Sequence, residues 1–379
     1  MLSDNITYAC LLSNNLIDRL PSVKEKVLLI DNALINVKPC DSFYNLDLMD
    51  PAAQERFAET NFHLPRLAVY EFSNAIVSGA YSIISDGYAF NASHRDFNSG
   101  ALPANLFGGA LKLVVKDTSQ YAFTDPMATP KKINTPAILF GSQGDHMHHH
   151  WLFDVCSKLY IWDVVFNRKI KLAIPSHLKN YQRQAYKELG LTDDDFITFN
   201  PRELTQFETL YNAPCFSQAD WAYPDALKHL RQFFFNAYNL KCAEKKPHRK
   251  LFLNREDMPD EFRVLLNERK LSALAETHGF TSIAGGDLTL KEQIQFFSQA
   301  ESCIIVHGSG GANVLFGNNA MECTHLHPDC VARFRAHGRT NAILGHKYKY
   351  IFGTSFFRRE RFHANPWYIN PDNMISAIT

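Results

Sequence analysis

Three short segments hold residue types whose spacing could do chemistry. The first is Asp145-His-Met-His-His-His-Trp-Leu-Phe-Asp154. On a helix, His150 and Asp154 stand one turn apart on the same face. A carboxylate beside an imidazole fixes its tautomer and raises its basicity. The pair therefore suits removal of a proton from an attacking hydroxyl, with either His150 or Asp154 as the base. Two other readings stay open. The imidazoles of His146, His148, His149 and His150 could gather a divalent metal, or the cluster could simply be the polar start of a helix. Trp151 is a sugar-stacking face or a core indole.

The second segment is His307-Gly-Ser-Gly-Gly-Ala-Asn313, directly after the apolar run Cys303–Val306. Gly308, Gly310 and Gly311 let a backbone come close to a ligand, and N–H groups at a helix start attract anions. His307, Ser309 and Asn313 frame that loop. The competing reading is a tight strand–helix turn with no ligand. The segment lacks the Gly-Lys-Ser/Thr of a P-loop and is not a GxGxxG loop. His307 also excludes a GxSxG nucleophile elbow.

The third is Arg255, just past the apolar strand Leu251–Leu253, with Arg263 in the following loop. A guanidinium at a strand end pairs well with phosphate oxygens. A solvated surface pair is the alternative.

Two further patterns are decoys. Cys323-Thr-His-Leu-His-Pro-Asp-Cys330 offers four zinc-type ligands. The stretch reads as a strand whose neighbouring side chains alternate between faces, and zinc sites normally draw on two separated pairs. Asp193-Asp-Asp195 has a D-x-D form but lies in a helix–strand loop, where it is solvated. No metal site is expected.

These segments need elements to position them. Leu67–Phe90 holds β-branched and aromatic runs split by Gly79 and Gly87, which predicts a small antiparallel meander. From Pro136 onward, strands alternate with helices. Strands are expected at 137–140, 171–174, 196–199, 209–212, 251–253, 303–306 and 321–326. Helices are expected at 148–165, 177–189 (closed by Gly190) and 225–238. Another runs from an Asn267 cap to Gly279, and one opens on the Thr289–Glu292 capping box. Such alternation implies parallel sheets covered on both faces, with ligands at the carboxyl ends of the strands. Residues 1–60 give no clear pattern.

The chain has 379 residues, which suits two domains. The basic segment Lys241–Lys250 marks the boundary. Residues 1–240 form the first domain, residues 241–353 the second, and the tail 354–379 is expected to pack back on the first. Lys plus Arg equals Asp plus Glu, 39 each, so no global field attracts nucleic acid or an anionic membrane. The eight cysteines form no CxxC pair and read as free thiols of a reducing compartment. No signal peptide and no run of about 20 apolar residues is visible. A cytoplasmic protein is expected, with at most peripheral contact at the inner face of a membrane.

Read together, the segments resemble glycosyltransferase family 61. The carrying residues are Arg249-Lys-Leu-Phe-Leu-Asn-Arg255, Asn267-Glu268, Leu290–Glu301, Ile305-Val-His-Gly-Ser-Gly-Gly-Ala-Asn-Val-Leu-Phe316 and Met321-Glu322-Cys323. His150-Trp-Leu-Phe-Asp154 looks like the family's His-x-x-x-Asp helix. The resemblance covers roughly residues 65–350. Ser309, Gly311 and Ala312 stand where the family usually has Ala, Leu and Thr.

The resemblance implies an α/β fold of the GT-B kind, with two Rossmann-like domains facing a cleft. It implies inverting transfer without a metal or other cofactor, usually from a UDP-sugar. The partners it implies are a nucleotide-sugar donor and a glycan or lipid-linked glycan acceptor, in bacterial surface polysaccharide synthesis. On this reading His150 and Asp154 are catalytic. The donor is bound by Arg255, Arg263, His307, Gly308, Ser309, Gly310, Gly311, Asn313 and Glu322, with N–H groups of Gly308 to Gly311 toward the diphosphate and Glu322 toward ribose hydroxyls. Rival readings are a metal-dependent hydrolase, an inactive glycan- or nucleotide-binding protein of the same fold, and a transferase using a nucleoside-monophosphate sugar.

Overall fold

A strand covered on both faces favours an apolar run, and Ala137–Leu139 and the apolar end of Ala300–Val306 each lie inside one of the two main sheets. The computed structural model describes residues 6–9, 20–79, 82–91, 111–115, 120–125, 127–142, 144–217, 221–240, 247–256, 264–331, 334–356 and 365–379. Arg263, Cys10, Cys242 and the basic stretch 241–246 lie outside them. The chain divides into two compact units. One is Met1–Ala33 with His63–Phe216, and the other is Leu34–Phe62 with Ser217–Thr379. The sequence puts the boundary at 240/241, and it gave no sign that Leu34–Phe62 belongs with the second unit.

In the first unit, Ala137–Leu139 lies between Lys171–Pro175 and Thr205–Asn212, parallel to both. Phe196–Phe199 continues the parallel order. Leu67–Ser78 then pairs antiparallel along the whole of Thr205–Asn212, and Ser82–Ser85 and Tyr88–Asn91 follow it, each antiparallel to the last. The strand expected at Thr209 thus begins at Thr205, because this long partner extends it. Tyr70, Phe72, Phe90, Leu139, Phe199 and Phe207 form the core beneath the sheet. Helix Asn180–Glu188 ends at Gly190, whose φ of 79° is left-handed.

The run 148–165 is helical but not a regular α-helix. An α-turn at His148–His150 passes into a π turn at Trp151–Val155, a 3-10 turn at Cys156–Lys158 and a second π turn at Ile161–Val165. Apolar periodicity reports which face is buried, and it is blind to such changes of pitch.

In the second unit, five strands run parallel in the order Thr281–Ala284, Arg249–Asn254, Ala300–Val306, Glu322–Pro328 and Lys347–Ser355. Ser42–Tyr44 adds to the last of these, also in parallel. Thr289 and Glu292 form the expected capping box of helix Leu290–Ser298. Asn267 sits at the cap position of Glu268–Thr277, but its side chain does not cap. Its Nδ2 donates to Ile369 O at 2.8 Å, and its Oδ1 accepts from Ile369 N–H at 3.3 Å. That bond ties the tail to the second unit. Trp367, Ile369, Met374 and Ala377 join its core, and Trp367–Tyr368 pairs with Lys347–Ser355. The tail therefore packs on the second unit, drawn there by its buried apolar residues.

Candidate functional site

In the first unit, the strand Ala137–Leu139 delivers its carboxyl end into Phe140–Asp145, and the helical run begins at His148. His150 Nδ1 meets Asp154 Oδ2 at 3.0 Å, so the predicted pair forms despite the π turn between them. Asp154 is buried, whereas the His150 side chain keeps 21% of its exposure. The same Asp154 oxygen accepts from Ser142 Oγ at 3.2 Å. A carboxylate held from behind and a partly exposed imidazole have the geometry that an orienter and a base need. Gly144 carries φ +91°, and a Cβ there would stand 3.1 Å from His150 Cδ2, so the loop backbone packs against the ring.

Among the described residues, the other histidines do not join His150 in a metal-ligating group. His149 is buried, edge-on to Phe153 at 4.7 Å, and His148 lies by Trp151. His146 is exposed. Among the described residues, no group of three or more His, Cys, Asp or Glu is placed to hold a metal ion. Trp151 is fully buried and donates Nε1–H to Tyr186 Oη at 2.9 Å, so it is a core indole.

In the second unit, Arg249–Asn254 and Ala300–Val306 are neighbours with Leu253 opposite Ile305. Continuing that register by two residues sets Arg255 beside His307. The Arg255 guanidinium reaches Gly308, where a Cβ would collide with Nη1 and lie 3.1 Å from Cζ. Arg255 N–H donates to Glu268 Oε1, which fixes the arginine's backbone at the strand end.

Gly308 to Phe316 departs from the expected turn and helix. A 3-10 helix spans Ser309–Phe316, with its first hydrogen bond from Gly311 N–H to Gly308 O. The Gly311 N–H is thus taken, and half-exposed Ser309 and Gly310 form the tip whose N–H groups precede that bond. Gly311 is glycine because the His337 ring packs against it.

His307 and Asn313 support this loop from below. The buried His307 ring is edge-on to His327 at 4.5 Å and Phe334 at 5.4 Å. Asn313 Nδ2 donates to Gln293 Oε1 at 2.7 Å, and Gln293 Nε2 donates to Gly285 O and Leu288 O.

Glu322 is elsewhere. It opens its strand opposite Ser302, while Leu326 lies opposite Val306. Four residues of strand put Glu322 about 13 Å from the end that carries Arg255 and Gly308. Its carboxylate takes Lys347 Nζ at 2.8 Å on the surface. Cys323 and His325 share a strand face at 3.4 Å, which the alternation argument overlooked, and His325 Nε2 also meets Asn341 Nδ2 at 2.7 Å. Asp193–Asp195 is a 3-10 turn capped by Thr192, with Asp195 closing a capping box.

Residues 148–331 match the family model described as Glycosyltransferase 61. Over that stretch the chain is similar to glycosyltransferase family 61. It opens just before His150 and includes Asp154, Arg255 and the whole His307–Asn313 loop. Family 61 implies glycosyl transfer, with a nucleotide-sugar donor and a glycan acceptor in general terms. No curated protein matches the chain. Among the described residues, no helix is long and apolar enough to cross a membrane.

Sequence reasoning missed residues in both units. Gly141-Ser142 and Gly144 follow a buried strand just as His307-Gly308-Ser309 does, and that likeness was a usable signal. Arg335, His337 and Arg339 surround or occupy helix Ala336–Leu344, which is buried almost throughout. Arg335 and Arg339 both pair with Glu59, at 2.9 and 3.3 Å. Burial lowers the Arg339 pKa, and neighbouring Arg335 adds to that. The signal for them was a basic helix with no polar face left over for solvent.

Proposed function

We propose that this chain is an inverting glycosyltransferase that takes a UDP-sugar and transfers the sugar to a glycan hydroxyl in surface polysaccharide synthesis. The observation that carries the reading is the Arg255 guanidinium laid on Gly308 at the ends of adjacent parallel strands. A cation beside a glycine-rich tip is built for a phosphate chain approaching the backbone.

On this reading the second unit binds the nucleotide. The N–H groups of Ser309 and Gly310 face the diphosphate. Arg255 balances the charge that grows on the leaving group as the anomeric C–O bond breaks. Arg263 belongs to the same proposal as a second cation. The first unit supplies the base. His150 takes the acceptor proton while the acceptor oxygen attacks the anomeric carbon in line, and Asp154 stabilises the imidazolium that forms. Attack opposite the leaving group inverts the anomeric centre. The protein's own cations and N–H groups supply the charge stabilisation, so the step runs without a catalytic metal. GT-B is the fold class this reading carries.

The test is turnover with a panel of UDP-sugars and glycan acceptors, following UDP release and the proton NMR spectrum of the new linkage. UDP release coupled to a product of inverted anomeric configuration supports the reading. A retained configuration, or no release with any donor, contradicts it.

A further inference from the structure

Lys158 is a fully buried lysine of the first unit that the mechanism above leaves unused. An ammonium has three hydrogens to give. Lys158 Nζ donates to Leu139 O at 2.9 Å, Gly141 O at 3.1 Å and Asn212 Oδ1 at 3.1 Å. Three donors meet three acceptors. Leu139 ends the strand Ala137–Leu139, and Asn212 ends its parallel neighbour Thr205–Asn212. Gly141 directly precedes Ser142.

His150, Asp154 and Lys158 recur every fourth residue, so they follow one side of the helical run. The outer two reach different parts of one construction. Lys158 holds the strand-end segment 139–141, and the next residue, Ser142, holds Asp154 Oδ2. That oxygen also holds His150 Nδ1. We infer that Lys158 is a positioning residue for His150, acting by clamping segment 139–142 to the helical run so that Ser142 fixes the carboxylate that orients the ring. The inference rests on the reading of His150 as the base.

Packing alone does not explain a lysine here. A buried ammonium loses its hydration, and an apolar side chain of similar length fills the same volume at lower cost. Burial pushes Lys158 down to about 8, while the nearby Cys215 and Asp154 pull the other way. The groups around the His150 end are Asp154, the His149 ring at 5.1 Å, His146, and Asp145 with His177. Asp154 is hydrogen-bonded to His150. An ammonium whose three hydrogens all meet acceptors holds those acceptors in place, and rigidity in the supporting groups is what a catalytic imidazole needs.

The test is ring nitrogen-15 NMR of histidine-labelled full-length protein, with the His150 signals assigned by their absence in His150→Ala. In the wild type, His150 shows one tautomer, protonated at Nδ1 toward Asp154. In Ser142→Ala and in Lys158→Met the ring shows a mixture of tautomers, and kcat for UDP release falls by about tenfold or more, as for a lost hydrogen bond to a charged group. Ser142→Thr, which keeps the hydroxyl, restores the single tautomer. If Lys158→Met does not fold, Ser142→Ala with Lys158→Arg decides, because the longer guanidinium cannot reproduce the three bonds. An unchanged tautomer and unchanged kcat in these variants overturn the inference. If His150→Ala itself turns over normally, the base reading fails, whatever the spectra show.

Discussion

The Arg255 guanidinium occupies the space that a β-carbon on Gly308 would need. Gly308 has φ 171°, extended backbone that any residue adopts, so glycine is required here for room alone. Gly308→Ala is therefore expected to leave the fold intact while driving Arg255 off the loop. A displaced arginine forfeits a charge-assisted contact of about 1.5–3 kcal/mol, or roughly a tenfold to hundredfold loss of UDP affinity. Calorimetry checks the affinity, and an unchanged melting temperature checks the fold.

His150→Ala and Asp154→Asn remove the proposed base and its orienter. Each is expected to lower kcat by about 10²- to 10⁴-fold, the usual worth of general-base catalysis, with UDP affinity unchanged. Steady-state UDP release and calorimetry on the same preparations separate the two effects. Near-normal kcat in both would remove the pair from the chemistry.

Glu322→Gln tests where the nucleotide lies along the sheet. Glu322 sits at the amino end of its strand and meets Lys347 on the surface. UDP affinity is expected to match the wild type. A clear loss would move the ribose toward that end and away from Gly308.

Much of this was legible in the sequence, for reasons that differ by residue. Cys303–Val306 and Ala137–Leu139 announced themselves as strands because both faces had to be apolar. His150 and Asp154 lay within one turn, so their meeting needed only local geometry. Arg255 and Gly308 are far apart in sequence, and each was read at the carboxyl end of its own strand; the pairing of those two strands as neighbours is a finding of the structure. What failed was long-range. Asn267 bonds Ile369 across the second unit rather than its own helix. Glu322 was read as following its strand, whereas the strand runs from Glu322 to Pro328 and puts it at the end away from Arg255 and Gly308. Segment Leu34–Phe62 joins the second unit through pairing of Ser42–Tyr44 with a strand at the other end of the chain. Nothing local in those residues encodes that partner.

Lys158 also makes stability depend on pH in a direction opposite to that of a lysine in an ordinary ion pair, whose pKa is raised. Burial lowers its folded value to about 8, against 10.5 for an ordinary lysine. Between these limits the unfolded chain binds the extra proton, so stability rises with pH. The cost of the buried charge is in full force below pH about 8 and is relieved as pH climbs toward 10.5. Relative to Lys158→Met, the wild type is expected to gain up to about 3 kcal/mol over that window. Urea unfolding of both proteins at several pH values reads it directly, and a constant difference would show that the folded lysine holds its proton as tightly as the unfolded one, so that burial does not lower its pKa.

The most direct measurement is calorimetric titration of the wild type and Arg255→Ala with UDP, with and without EDTA, using CMP, GDP and ADP as comparators. The account predicts that the wild type binds UDP in preference to the others, that EDTA leaves this binding intact, and that Arg255→Ala weakens it by about tenfold or more. Folded wild-type protein that binds no nucleotide, or an Arg255→Ala variant that binds UDP as well as the wild type, would contradict it.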